Sequence, residues 1–127
     1  MLYIAPSSTG GMGVFTDSPL QVGSIIDKSF VRVLTEGDSL VLNSSFLRDY
    51  LLHWPENEEA MCMAGFALMF NHSDTPNVGR EYFVGEKIIL HRALTNIPAG
   101  VELFVKYACE PWWDKKPTRP AHKGRYK

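Results

Sequence analysis

Ten glycines and eight prolines punctuate a chain of 127 residues, and the apolar runs between them are short. Turn formers at that density leave little room for long helices, and short apolar segments bounded by Gly, Pro, Asn, Asp and Ser are the pattern of a mainly β fold. Strands are expected at residues 2–5 and 13–16, around the turn Ser7-Ser8-Thr9-Gly10-Gly11. Further strands are expected at 22–33, as one long strand or a bent pair, at 86–94 and at 101–107, with Pro98-Ala99-Gly100 turning the chain between the last two. One segment reads differently. Phe46, Leu47, Tyr50, Leu51 and Trp54 recur at helical spacing behind caps at Ser44 and Ser45, which predicts a helix. Residues 61–70 are almost all apolar and are expected to be buried, but periodicity does not decide their type. They open into Asn71-His72-Ser73-Asp74-Thr75-Pro76-Asn77. A polar turn at the end of a buried run is where a rigid scaffold presents a binding site.

The longest apolar run also bounds the class of protein. At ten residues, 61–70 is about half of what a bilayer crossing requires. The opening MLYIAPSSTGGMG has neither the basic nor the sustained apolar part of a secretory signal. An intracellular protein, cytoplasmic or nuclear, is therefore expected, with no membrane partner. Cys62 and Cys109 are too few for a disulfide scaffold and lack C-x-x-C pairing, and His53, His72, His91 and His122 show no metal-ligand spacing. No metal is expected. A chain of this length buries about two-thirds of its unfolded surface, enough for one domain to fold without staples.

Net charge is −1, which argues against a dedicated nucleic-acid binder, but the charge is unevenly placed. Residues 1–113 hold 7 Lys/Arg against 13 Asp/Glu, whereas 114–127, DKKPTRPAHKGRYK, hold 6 basic residues against Asp114. The division is thus a folded body over 1–113 and a basic, flexible tail over 114–127. An acidic body suits cationic partners such as Lys-rich peptides.

Taken singly, the motifs are weak. Gly11-Met12-Gly13 is a G-x-G, yet Thr16 stands where the dinucleotide fingerprint needs a third glycine. There is no G-x-S-x-G, and Cys109 has no nucleophile-elbow context. Taken in order, they are specific. GGMGVFTDSPLQVGSII, then an apolar run ending in FNHSDTPN, then RALTNIPAGVELFVKY resemble the SET-domain protein lysine methyltransferases across residues 10–113. DYLLHW and YACEPWW make the chain most like the minimal viral SET-domain proteins, which lack zinc-binding flanks.

The resemblance implies a SET-domain fold of small β-sheets with few short helices, in which the C-terminal segment threads a preceding loop as a pseudoknot. It implies S-adenosylmethionine on one face of the crossing, with S-adenosylhomocysteine as product, and a substrate lysine entering from the other. By matching position, Gly11, Met12, Gly13 and the backbone of Asn71 and His72 hold the cofactor and Trp113 covers its adenine, although Trp112 and Trp113 read equally well as core or partner contacts. Tyr107 stands at the methyl-transfer point as the catalytic residue, Glu102 supports it, and Tyr50, Tyr82 and Val105 border the substrate channel. Histone tails and other Lys-rich proteins suit the body's charge, and a homodimer would complete a channel that has no flanking domain. The chain departs from the family pattern at Lys106 and Ala108 around the tyrosine, at Val101 and at Met12. A SET-like peptide-binding module without turnover, or an unrelated β-rich structural protein, are the other readings.

The chemistry has its own demands. A free lysine amine, with a pKa of about 10.4, is neutral in roughly one molecule in 2,500 at pH 7, a deficit of about 4.6 kcal/mol. An apolar, aromatic-walled channel beside a cation lowers that pKa, so positioning matters more than a strong base.

Overall fold

The computed structural model describes residues 1–107. Trp112, Trp113, Cys109 and the basic tail lie outside them. Among the described residues nine strands run in the order β1 (Leu2–Pro6), β2 (Met12–Thr16), β3 (Ile25–Val33), β4 (Leu51–Trp54), β5 (Glu58–Ala64), β6 (Asn71–His72), β7 (Val78–Phe83), β8 (Ile88–Ala93) and β9 (Glu102–Val105). The helix α1 (Glu36–Asn43) and a 3₁₀ turn (Phe46–Tyr50) separate β3 from β4. Among the described residues no helix is long and apolar enough to cross a membrane.

Two sheets result, ordered β1-β2-β9-β6 and β4-β5-β3-β8-β7. Local turns make the antiparallel pairs β1–β2, β4–β5 and β7–β8. The pairing of β6 with β9 is of another kind. It is parallel, with Asn71 opposite Phe104 and His72 opposite Val105, and the whole β7–β8 hairpin lies between the two in sequence. Parallel strands need such a crossover. The last strand thus enters the middle of the first sheet, between β2 and β6.

The core forms two clusters, the first of which also takes in Val78 of β7 and Ala93 of β8 from the second sheet. Val14, Phe70, Val78, Leu103, Val105 and Tyr107 belong to the first, and Val31, Leu52, Trp54, Ala60, Ala67 and Ile89 to the second. Asn77 ties the sheets together where they meet. Its side-chain amide donates to the Glu102 carbonyl at 2.9 Å and accepts from the Phe104 amide at 2.7 Å, while its own carbonyl accepts from the Leu94 amide at 2.9 Å.

The strands and turns expected from sequence are present within a residue or a few at each end, and Gly100 and Val101 close the Pro98 turn against Thr16 and Pro98. The helix expected over 46–54 is not. Ser45 does cap a turn at Leu47, but it is 3₁₀ and ends at Tyr50, and Leu51–Trp54 pair with β5. Leu51 and Leu52 point to opposite faces and are both fully buried, so the strand is covered on both sides. That is why its apolar residues do not alternate, and the helical spacing arises only because Phe46, Leu47 and Tyr50 of the 3₁₀ turn run on into them. The helix forms earlier, capped by Thr35, with Glu36 and Asp38 in its first turn. Asn43 at its end donates to Glu59 of β5 at 2.9 Å. Residues 61–70 also differ from expectation, because Ala67 and Phe70 are buried but Met63 is 63% exposed and Ala64, Gly65 and Met69 are exposed too. The run is strand to Ala64, then a turn at Gly65. There φ is +110°, and the backbone of Ser29 lies where a side chain would stand.

Candidate functional site

The G-x-G turn, the Asn-His turn and the final strand converge at the centre of the first sheet. Gly13 lies so close to Glu102 that a Cβ there would come within 2.2 Å of the carboxylate and 3.0 Å of the Asn71 amide. The motif therefore needs glycine at its second position for room. Glu102 is only 7% exposed, and both oxygens are used: Oε1 accepts from the Ser7 hydroxyl at 2.8 Å and Oε2 from Asn71 Nδ2 at 2.9 Å. The same Asn71 nitrogen donates to the Met12 carbonyl at 2.9 Å. Ser7 thus joins Gly13, Met12, Asn71 and Glu102 in one bonded group. Met12 itself is exposed, and a methyl at Gly10 or Gly11 would meet nothing within 4 Å, so this turn borders open space.

Beside that group stands Tyr107, 8% exposed. Its hydroxyl donates to the Phe70 carbonyl at 2.9 Å, and its backbone amide donates to Nδ1 of His72, also at 2.9 Å. Nδ1 therefore carries a lone pair, and Nε2 holds the ring proton facing Asp74 Oδ1 at 3.1 Å. The two rings lie 5.1 Å apart. The His72 side chain thus has a part that sequence reading gave only to its backbone.

The remaining expected residues are more scattered. Val105, 1% exposed, packs in the first core cluster with Tyr107. Tyr50 ends the 3₁₀ turn, 43% exposed, with its ring edge-on to Phe46. Tyr82 packs edge-on against Trp54 at 5.6 Å in the second cluster. Trp113 lies outside the described residues.

Sequence reading missed a buried polar chain. His91 of β8 is fully buried; Nδ1 faces Asp27 Oδ2 at 3.0 Å, and Nε2 accepts from Arg80 Nε at 3.0 Å. A ring that accepts at Nε2 is neutral, and its proton sits on Nδ1 toward Asp27. Burial pushes the His91 pKa down, helped by the nearby Arg80 cation and opposed by Asp27. Burial also works against ionisation of Asp27, but the hydrogen bonds from His91, Ser29 and the Phe66 amide outweigh it and hold the carboxyl below its usual range. These residues come from three strands, and no spacing announces them. Elsewhere, burial lowers the pKa of His53 and raises that of the Cys62 thiol. Among the described residues no three His, Cys, Asp or Glu side chains gather as metal ligands.

Known proteins place this arrangement. In structure the chain is similar to a Plasmodium falciparum protein described as a candidate histone methyltransferase, at 24% identity and TM-score 0.65, covering 87% of this chain and 99% of that one. It is also similar to a chain of ctPRC2 in complex with H3K27me3 and H3K27M, at 18% identity and TM-score 0.71, covering 85% of this chain but 14% of that much longer one. No curated protein sequence matches the chain. The model of the SET domain matches residues 11–108, from the G-x-G turn to the residue after Tyr107, and the chain belongs to the SET domain family.

Proposed function

We propose that the chain is a protein lysine methyltransferase that uses S-adenosylmethionine and releases S-adenosylhomocysteine. The observation that carries this reading is the meeting of the Gly13–Asn71–Glu102 group with the doubly held Tyr107 across the β6–β9 pair.

The residues fit the cofactor. The Gly10–Gly11 turn faces open space, and Asn71 spends its two amide hydrogens on Met12 and Glu102. Its Oδ1 accepts no hydrogen bond among the described residues, so it can take a donor such as an amino group. When bound, the cofactor supplies an electrophilic methyl on a sulfonium.

This chain's residues then have three tasks. Gly13 keeps the cradle shallow. Phe70 and His72 fix the Tyr107 ring. Tyr107, whose one O–H is spent on Phe70, presents oxygen lone pairs that cradle a polarised methyl through weak C–H···O contacts. The lysine would react as the free amine, having lost its proton to water, and the bound cofactor would supply the methyl that its lone pair takes, the electrons of the S–C bond leaving with sulfur. No side chain is asked to be a strong base. Trp113 is proposed as the adenine cover and Tyr50 as the outer channel aromatic.

The substrate is a Lys-bearing protein. The acidic body and a likeness to structures named for histone methyltransferase and histone H3 favour a histone tail or a similar Lys-rich segment. A homodimer completes the channel; light scattering that returns the mass of one chain would contradict that part. Incubation with methyl-labelled cofactor and an array of Lys peptides tests the whole reading. Label on lysine is expected. Cofactor binding without transfer to any peptide would leave a binding module, which the departures at Lys106 and Ala108 would explain.

A further inference from the structure

We propose that Arg80 is a positioning residue for the methyl-transfer site, fixing the segment 66–70 whose last carbonyl receives the Tyr107 hydroxyl. This rests on the methyltransferase reading above. Arg80 Nη2 donates to the Ala67 carbonyl while Nε donates to His91. The same segment is held from a second side: Asp27 accepts from the Phe66 amide, and Ser29 Oγ accepts from the Ala67 amide at 3.0 Å while donating to Asp27 at 2.7 Å. The His91 ring, locked between Asp27 and Arg80, lies 4.6 Å from the Phe70 ring. One polar chain therefore bonds the first two residues of 66–70 and packs its His91 ring against the last. The far end delivers the Phe70 carbonyl to Tyr107 and leads directly into Asn71 and His72.

The choice of arginine is informative. Its planar fork aims two donors at acceptors on two different elements, which the single ammonium of lysine cannot reproduce. It also costs stability. Among the described residues no carboxylate forms an ion pair with Arg80; its partners are the Ala67 carbonyl, the neutral His91 imidazole and the Tyr82 side chain, and burial opposes its charge. A largely enclosed cation with no carboxylate partner is expensive compared with an apolar side chain. The geometry it imposes on the Phe70 carbonyl accounts for it.

The test compares wild type with Arg80→Lys, His91→Phe and His91→Gln, the last retaining an acceptor for Arg80 and a donor for Asp27. Each is measured for thermal unfolding, kcat and KM with the best array peptide, and amide exchange over residues 66–72. In Arg80→Lys and His91→Phe, kcat should fall about tenfold to a hundredfold with KM nearly unchanged, and exchange at 66–72 should quicken. His91→Gln should recover most of kcat. A folded Arg80→Lys with wild-type kcat overturns the proposal. If Arg80→Lys does not fold, His91→Phe decides in the same way, and loss of fold in both overturns the proposal by assigning the chain to stability alone. If wild type itself transfers no methyl, the methyltransferase reading fails, and exchange judges the positioning separately: unchanged protection at 66–72 overturns it, faster exchange supports it.

Discussion

Tyr107 and Phe70 are joined by a hydrogen bond from the phenol to the main-chain carbonyl at 2.9 Å, and the backbone amide of the same tyrosine is taken by His72, two residues further along. One three-residue stretch thus holds Tyr107 at both ends. Tyr107→Phe should keep the ring and lose the hydroxyl, lowering kcat by about a hundredfold and stability by about 1 kcal/mol. Cofactor binding by calorimetry should be unchanged. A variant with undiminished turnover would remove Tyr107 from the reaction.

Gly13→Ala should damage the cofactor cradle. The added methyl would stand 2.2 Å from the Glu102 carboxylate, so Glu102 must move and its bond to Asn71 must break. A stability loss of about 1–3 kcal/mol is expected, together with cofactor affinity at least about tenfold weaker, since the cradle's polar partners are left unpaired. Retained affinity in titration calorimetry would show that the Asn71–Glu102 bond is irrelevant to binding.

Gly65→Ala should unfold the protein more readily than Gly13→Ala. A Cβ at Gly65 would lie 2.7 Å from the Ser29 Cα and 2.4 Å from its Oγ, and φ is already +110°. Backbone on an interior strand cannot retreat as a carboxylate can. A loss of about 3 kcal/mol or more in urea unfolding is expected, and a smaller loss than at Gly13 would contradict the packing described for this turn.

Stability should fall as pH is lowered. His91 has a depressed pKa in the folded chain, so once pH drops below the ordinary value of about 6.5 the unfolded state binds a proton that the folded state refuses. Asp27 is also depressed, and its contribution is lost further down, from about 3.8 toward its folded value. Urea midpoints measured between pH 8 and pH 3 should decline first through the histidine range. The first decline should shrink in His91→Gln to the part that His53, also depressed by burial, contributes; if it does not shrink, His91 is not its cause.

Local chemistry was legible in the sequence wherever neighbouring residues decide the outcome. The turn at Gly10–Gly11, the Pro98 turn and the strands beside them follow from turn residues acting over a few positions. The resemblance carried by GGMG, FNHSDTPN and ELFVKY also marked Gly13, Asn71, Glu102 and Tyr107, four residues from distant parts of the chain that the structure gathers around one pair of strands. The misread segment at 46–54 failed because apolar residues of a 3₁₀ turn, of which Phe46 and Tyr50 are exposed, run on into a strand buried on both faces, and together they fall at the spacing of a helix although no one element buries them.

The sequence by itself determined the β-rich class, the turns and the family signature, because these rest on short-range backbone preferences and on the order of motifs. Only the tertiary structure decided that His72 holds the Tyr107 amide, that Ser7 completes the Glu102 group, and that Asp27, His91 and Arg80 form one buried chain. Each of those contacts joins residues on separate strands or turns. The first two bonds exist because the last strand is inserted between strands that come far earlier in the chain, the third because β3, β8 and β7 lie side by side in the second sheet, and no local preference encodes which distant polar groups such pairing will enclose.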